Sequence, residues 1–240
     1  MSSLIRPQWP APTNVHAVVT TRSGGVSEGV WRGLNLGTHV GDESAHVASN
    51  RAWLRQQLPA EPVWLSQVHG TKCVVAEAAT ADCSADASVS FESATVCAVM
   101  TADCLPVLFC NRAGTVVAAA HAGWRGLLAG VLEQTVLGMK CPAQDILAWL
   151  GPAIGPQSFE VGAEVRAAFV ERDPAAAAGF VSHKDKYLAD IYLLARQRLN
   201  TMGVTAIYGG DLCTVTDVER FYSFRRDGVT GRMASLIWRD

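Results

Sequence analysis

The sequence lacks the short motifs of the common nucleotide-dependent enzymes and metalloproteases. It contains no GxxxxGK[ST], GxGxxG or HExxH segment and no CxxC pair. The His-x-Glu and Pro-Cys-x-x-Cys pair of the zinc nucleobase deaminases is also missing. Six histidines are too few for an ordinary four-copper oxidase. Any phosphate, metal or deaminase chemistry therefore requires another arrangement of residues.

The sequence also has little excess charge and no long hydrophobic run. Its 240 residues carry 20 Lys and Arg against 22 Asp and Glu, and the cations form no basic stripe. Because nucleic acids are bound mainly through clustered cations, no nucleic-acid partner is expected. No uninterrupted apolar run reaches the roughly 18 residues needed to cross a bilayer. The sequence therefore predicts no membrane insertion.

The cysteines form no disulfide framework, since there are seven of them without a repeating spacing. The first ten residues, MSSLIRPQWP, lack a basic segment followed by an apolar one. These features predict reduced thiols and a cytoplasmic location. Neither a linker-like segment nor a charge run divides the chain, so residues 1–240 are expected to form a single domain. The oligomeric state does not follow from the sequence.

Short β-branched runs alternate with helical periodicities along the chain, which is typical of a layered α/β or α+β fold. The predicted strands are residues 16–21, 62–68, 96–101, 105–110, 115–120, 146–150, 206–209 and 233–238. The predicted helices are residues 45–58, 127–139, 161–170 and 189–202.

The central strands 105–110 and 115–120 are close enough in sequence to form an antiparallel hairpin around NRAG. A loop of two or four residues would place Cys104 directly opposite His121, whereas a loop of three would place Ala122 there. Cross-strand Cβ atoms so paired are about 4.5–5.5 Å apart. A thiolate and an imidazole at that separation can share a metal ion or a proton.

Three candidate ligands stand at the ends of predicted strands. Cys104 lies in TADCLP, His121 ends an apolar strand and opens AGWRG, and His69 ends VWLSQV. Two imidazoles and a thiolate are zinc ligands, and three protein ligands leave a fourth position open, as in catalytic zinc sites. The alternative for a lone histidine such as His121 is a purely structural role.

Two neighbouring residues are candidates for catalysis. Arg125 lies in HAGWRG at a predicted helix start, where backbone N–H groups and a guanidinium could bind phosphate. Alternatively, the glycines of this segment merely allow close packing. Asp103 is a candidate general acid or base, although an Asp at a strand end is often only a cap or turn residue.

Five ordered motifs resemble those of the YfiH family: LSQVHG, TADCLPVLF, AHAGWRG, LGPAIGPQSFEVG and FYSFRRDGVTGRMASLIW. This family is also called the peptidoglycan editing factor family and was formerly described as a polyphenol oxidase or laccase domain. The resemblance runs from about Thr20 to Trp238. It implies a layered α/β/α sandwich with mixed sheets, related to cysteine-hydrolase-like folds. It also implies a zinc site formed by His69, Cys104 and His121.

The resemblance further implies a purine nucleoside enzyme that phosphorolyses adenosine, inosine and methylthioadenosine and can deaminate adenosine. The implied metal is Zn²⁺, with Cu²⁺ as the alternative, and the substrates are a purine nucleoside and phosphate. Arg22, Asn35 and Gln67 are predicted substrate contacts from their places in the matching motifs.

Three other functions remain open. In the first, Cys104 is a nucleophile and His121 its base in a hydrolase that edits serine-containing peptidoglycan precursors. The second is a copper-dependent phenol oxidase. The third is a metal- or ligand-binding module without catalytic activity.

Overall fold

The computed structural model of the chain describes residues 3–80 and 83–240. The strands are β1 Leu4–Ile5, β2 Val15–Thr20, β3 Pro62–Val63, β4 Cys73–Val75, β5 Ala87–Ser90, β6 Val96–Thr101, β7 Leu105–Asn111, β8 Val117–Ala122, β9 Ile146–Leu150, β10 Glu160–Val161, β11 Phe180–His183, β12 Lys186–Ala189, β13 Ala206–Gly209 and β14 Met233–Arg239. The helices are α1 Ser44–Arg55, α2 Trp124–Ala129, α3 Val131–Gly138, α4 Ala163–Arg172, α5 Ile191–Thr201 and α6 Phe224–Asp227.

Most strands belong to two mixed sheets. The first sheet has the order β1-β2-β14-β6-β3, in which only β3 and β6 are parallel. The second has the order β13-β9-β7-β8-β5-β4, with antiparallel pairing in the centre and a parallel pair at each edge. Strands β10, β12 and β11 form a separate small antiparallel sheet.

The two large sheets pack face to face, with helices on their outer faces. Val19 and Val99 of the first sheet meet Leu108 and Trp149 of the second in one buried cluster. A second cluster packs α1 against the outer face of the first sheet, and a third packs α3 and α5 against the second sheet. Successive strand residues point to opposite faces, so strands covered on both sides are apolar throughout. The predicted layered fold with mixed sheets is confirmed, and its β layer is double.

Several predicted elements have the bounds their sequence patterns indicate, and others differ. Strands 96–101, 146–150 and 206–209 are found as predicted. The helix predicted over 127–139 begins at Trp124 and is divided by Gly130, whose φ of +113° interrupts the helical conformation. The prediction of a strand over 62–68 is wrong beyond Val63, because the chain there leaves the first sheet and crosses to the second.

The central hairpin is antiparallel as predicted, but its register differs. Pro106 faces His121, and Leu105 faces Ala122. The side-chain oxygen of Asn111 accepts hydrogen bonds from the N–H groups of residues 115 and 116, at 2.8 and 3.2 Å, and so draws both residues into the turn. The prediction that Cys104 lies directly opposite His121 is therefore wrong, as is the alternative with Ala122, because Cys104 precedes the strand.

The crossings between sheets bring several chain segments to one end of the second sheet. Residues 64–72 connect β3 to β4, and residues 102–104 connect β6 to β7, so both segments pass from the first sheet to the second. Strand β8 ends at the same place, since it runs antiparallel to β7 and β5. The three candidate ligands lie on these segments.

All seven cysteines are free. No helix within residues 3–80 and 83–240 is long and apolar enough to cross a membrane.

Candidate metal centre

His69, Cys104 and His121 converge at this end of the second sheet. One ligating atom from each lies within 4.8 Å of the others. The Sγ atom of Cys104 is 3.6 Å from Nε2 of His69, and the two imidazole rings meet edge to face with their centroids 4.7 Å apart. Within the described part of the chain, this is the one group of three His, Cys, Asp or Glu side chains with metal-ligating geometry.

Asp86, directly before β5, orients His121. Its Oδ1 atom accepts a hydrogen bond from Nδ1 of His121 at 2.8 Å, and its backbone carbonyl accepts one from the His121 N–H at 2.7 Å. Both residues are buried. A carboxylate that engages one ring nitrogen sets the tautomer and leaves the other nitrogen for a metal. His121 therefore presents Nε2 to the centre.

The same carboxylate holds the loop that carries His69. It accepts hydrogen bonds from the N–H groups of Val68, His69 and Gly70, at 3.3, 2.9 and 2.7 Å. These bonds stabilise His69 in the left-handed conformation, with φ of +60°, which is uncommon for residues other than glycine. Asp86 thus positions two of the three candidate ligands.

Sequence reasoning misses Asp86. The only signal is a single acidic residue directly before ASVS, a strand of small residues. A carboxylate in such a position is buried only when it is paired or hydrogen-bonded. Its partners come from residues 68–70 and 121, so the pairing becomes visible only in the folded chain.

The centre favours an ionised thiol. Burial raises the pKa of Cys104, but the positive charge of His121 and hydrogen bonds from His121 and His69 outweigh burial, and they hold the pKa below its usual range. Burial lowers the pKa of His121, while the charge of Cys104 and the hydrogen bond to Asp86 outweigh it and raise the pKa. Without a metal, these two opposite shifts favour a thiolate–imidazolium pair. The thiolate is also the form of cysteine that binds metals.

Gly123 provides the room that the centre needs at the start of α2. A Cβ atom at this position would lie 2.8 Å from Cδ2 of His69 and 3.0 Å from Sγ of Cys104. Its φ of −59° and ψ of 155° are open to other residues, so the requirement is steric and not conformational.

We call His69, Cys104 and His121 together the metal group. Two clefts meet at it, and both are lined by His69, Cys104 and Phe224. We call the larger one, of about 540 Å³, the cationic cleft, and it is further lined by His39, Arg51, Trp64, Gln67, Met100 and Arg232. We call the smaller one, of about 290 Å³, the aromatic cleft, and it is further lined by Asp103, Trp124, Arg125, Ile154, Phe159 and Arg225. The metal group therefore borders both clefts.

The predicted substrate contacts are placed differently from one another. Gln67 lines the cationic cleft, but its amide is bonded to the backbone N–H and carbonyl of Met100, at 2.7 and 2.8 Å. Asn35 is buried and lines neither cleft. Arg22 stacks over Tyr222 and lines a separate groove with the RSGGVSEG loop. Arg22 and Asn35 are thus not brought to the metal group, and the substrate-binding roles stay predictions.

Asp103 and Arg125 both border the aromatic cleft. The Asp103 oxygens accept hydrogen bonds from the Thr214 hydroxyl and the Arg225 N–H, each at 2.6 Å, and its backbone has a φ of +88°. Arg125 is exposed, and its guanidinium lies over the Trp124 ring, 4.4 Å from the centroid. The catalytic roles of Asp103 and Arg125 stay predictions.

Comparison with known proteins identifies the family. Residues 16–240 match the family described as multi-copper polyphenol oxidoreductase laccase. A relative from Shigella flexneri, named purine nucleoside phosphorylase YfiH, is 61% identical over 241 residues and 99% of both chains. A Pseudomonas aeruginosa protein, also named a purine nucleoside phosphorylase, is 54% identical over 240 residues, again 99% of both chains.

A solved structure agrees with the sequence comparison. The crystal structure of a Neisseria meningitidis protein superposes with a TM-score of 0.96 at 53% sequence identity, and the match covers 100% of both chains. Similarity of this extent in sequence and in structure means that the chain belongs to the YfiH family.

Proposed function

We propose that the chain is a zinc-dependent purine nucleoside phosphorylase that acts on adenosine, inosine and methylthioadenosine and also deaminates adenosine. The names of the Shigella flexneri and Pseudomonas aeruginosa relatives support phosphorolysis. The observation that carries the proposal is the position of His69, Cys104 and His121 where an aromatic and a cationic cleft meet. A purine nucleoside and a phosphate can approach each other there.

The three side chains fit zinc. They offer two imidazoles and a thiolate, one imidazole is oriented by a buried carboxylate, and a fourth position stays open. Zinc held by His69, Cys104 and His121 would supply Lewis-acid activation of water or of a substrate atom. Copper is the alternative ion, because imidazole and thiolate ligands also bind copper.

Phosphorolysis requires the chain to hold two reactants and exchange one proton. A phosphate oxygen bonds to C1′ of the ribose as the bond from C1′ to the purine nitrogen breaks, and the electron pair leaves with the purine, which takes up a proton. Trp124 and Phe159 offer aromatic surface for the purine in the aromatic cleft. Asp103, in the wall of that cleft, is the proposed proton donor. Arg125, at the edge of the same cleft, is the phosphate ligand predicted from the sequence.

Adenosine turnover with and without phosphate tests this function, on protein of known zinc content. We expect adenine and ribose 1-phosphate only with phosphate, and inosine and ammonia from deamination in either case. Cys104→Ala should lose both activities, whereas the matched variant Cys141→Ala should keep them, because Cys141 lines neither cleft. Zinc-loaded protein that forms no product from any purine nucleoside would contradict the proposal.

One observation favours a hydrolase as the second candidate. Cys104, His121 and Asp86 are arranged as a triad of nucleophile, base and orienting carboxylate, as in cysteine hydrolases. Such an enzyme would cleave serine-containing peptidoglycan precursors without a metal and without His69. Cleavage of such a muropeptide by chelator-treated protein, retained in His69→Ala, would support the hydrolase, whereas loss of all activity on chelation would exclude it.

A further inference from the structure

We propose that the phosphate co-substrate binds in the cationic cleft, with Arg232 as its main ligand and His39 and Arg51 as supporting groups. The proposal rests on the phosphorolysis proposed above. It assigns phosphate binding to Arg232 and not to Arg125, the ligand predicted from the sequence. It places the purine in the aromatic cleft and phosphate in the cationic cleft, with the metal group between them.

Arg232 directs unused donors into the cleft. Its Nη1 atom donates to the carbonyls of Thr230 and Gly231, each at 3.0 Å. Within the described chain, the side-chain hydrogen bonds of Arg232 are made by Nη1 and none by Nε or Nη2, and the residue lines the cleft and is only half-buried. Arg232 lines the same cleft as His69, Cys104 and His121, so its guanidinium lies beside the metal group. An arginine with two free donors on adjacent nitrogens suits bidentate binding of a phosphate.

The segment 35–37 holds Arg232 in this position. The side-chain oxygen of Asn35 accepts a hydrogen bond from the Arg232 N–H at 2.9 Å. Gly37 leaves space for the aliphatic stem, since a Cβ atom there would lie 2.8 Å from Cγ of Arg232. Asn35, which the sequence indicates as a substrate contact, thus acts on the site through Arg232.

The charge of the cleft favours an anion. Its described lining contains two arginines and three histidines and no carboxylate. Burial lowers the pKa of His39, and the positive charges of Arg232 and Arg51 lower it further. Arg51 is fixed by a hydrogen bond to the Leu36 carbonyl and by its stacking over Trp64. A cleft whose charged lining is mainly positive attracts anions.

The aromatic cleft is less suited to phosphate. The Asp103 carboxylate forms part of its wall. Its Arg225 side chain donates to the Glu160 carbonyl at 2.8 Å. Arg125 is exposed and stacked on Trp124, so its charge is shared with solvent. The apolar side chains Ile154, Phe159 and Trp124 suit a flat heterocycle instead.

The test compares Arg232→Gln with Arg112→Gln, which removes an exposed arginine from the distant hairpin turn. Inorganic phosphate is titrated calorimetrically into each protein, and the KM values for phosphate and adenosine are measured. We expect Arg232→Gln to weaken phosphate binding and raise the phosphate KM about 10- to 100-fold, the range expected for lost hydrogen bonds to a charged group. Adenosine KM should change little, and Arg112→Gln should match the wild type.

Gly37→Ala provides a second variant that keeps the arginine but displaces its stem, and it should weaken phosphate binding in the same direction. Arg232→Lys should restore part of the affinity. Phosphate affinity within twofold of wild type in both Arg232→Gln and Gly37→Ala would overturn the proposal, as would a phosphate KM that rises only in Arg125→Gln. Failure of the proposed function is distinguishable, because the wild type would then bind phosphate calorimetrically without forming ribose 1-phosphate.

Discussion

Asp86 and His121 form a buried pair in which Oδ1 of the carboxylate accepts a hydrogen bond from Nδ1 of the ring at 2.8 Å. The carboxylate also accepts hydrogen bonds from the N–H groups of residues 68–70. It therefore links the end of β8 to the loop of His69. Asp86 thus positions two of the three side chains of the metal group, although it is not itself a member of the group.

Asp86→Asn tests this link. An amide keeps one acceptor but replaces the other by a donor, so the bonds to His121 and to the loop cannot all be kept. We expect zinc affinity to fall about 10- to 100-fold, the range typical when a residue that hydrogen-bonds to a metal ligand is replaced. Competition with a chelating indicator measures it. The exposed residue Asp185 supplies the control Asp185→Asn, and equal zinc affinity in the two variants would contradict the role of Asp86.

Gly123→Ala tests the space around the centre. The added methyl would approach His69 and Cys104 to 2.8 and 3.0 Å, so we expect weaker zinc binding and lower turnover with little change in melting temperature. Gly138→Ala is the matched control, since its Cβ would meet the Cys73 and Val89 side chains at 3.3 and 3.8 Å, away from the clefts. Normal zinc binding in Gly123→Ala would mean that the ligands lie farther apart than described.

The sequence predicts the central strands well because their pattern is local. Strands β6 and β9 are short apolar runs bounded by polar or turn residues, and both are fully buried as such runs suggest. The candidate ligands His69, Cys104 and His121 follow from their strand-end positions and from the family motifs. Their convergence is observed in the structure, while the metal itself stays a proposal. That the chain forms a single domain also stays a prediction.

The path of the chain between the sheets does not follow from local pattern. The predicted pairing of Cys104 with His121 fails because the hairpin register depends on side-chain bonds of Asn111. The two residues come together nevertheless, since residues 102–104 cross from one sheet to the other beside the end of β8. The role of Asp86 cannot be predicted from the sequence, because its hydrogen-bond partners are distant along the chain.

The thiol of metal-free Cys104 should react with iodoacetamide at a pH where ordinary thiols are slow. Only the thiolate reacts, so a pKa held below the usual 9.0 extends reactivity to lower pH. Cys141 is the internal reference, because burial and the nearby Asp145 raise its pKa. Mass spectrometry of the two peptides across pH 5–9 measures both rates.

The cause of this reactivity can be tested in the same assay. His121→Ala removes the charge that lowers the Cys104 pKa, so the alkylation profile should move to higher pH, and zinc should block the reaction in the wild type. A Cys104 profile that coincides with that of Cys141 in metal-free wild-type protein would contradict the thiolate–imidazolium pair.

Asp103→Asn separates a structural from a catalytic role. The amide cannot accept both the Thr214 and the Arg225 hydrogen bonds, so the free energy of unfolding should fall by about 1–3 kcal/mol. Denaturant titration measures this loss. If Asp103 also exchanges the proton, kcat of the folded variant should fall with little change in KM, and its pH profile should lose one limb. An unchanged kcat would assign the residue to structure alone.

The most direct test of the account is to titrate zinc into metal-free protein and follow ribose 1-phosphate formation from adenosine and phosphate. The account predicts that activity rises in proportion to bound zinc up to one ion per chain, and that His69→Ala neither binds zinc tightly nor turns over adenosine. Full activity in metal-free protein, or tight zinc binding in the wild type without any phosphorolysis, would contradict it.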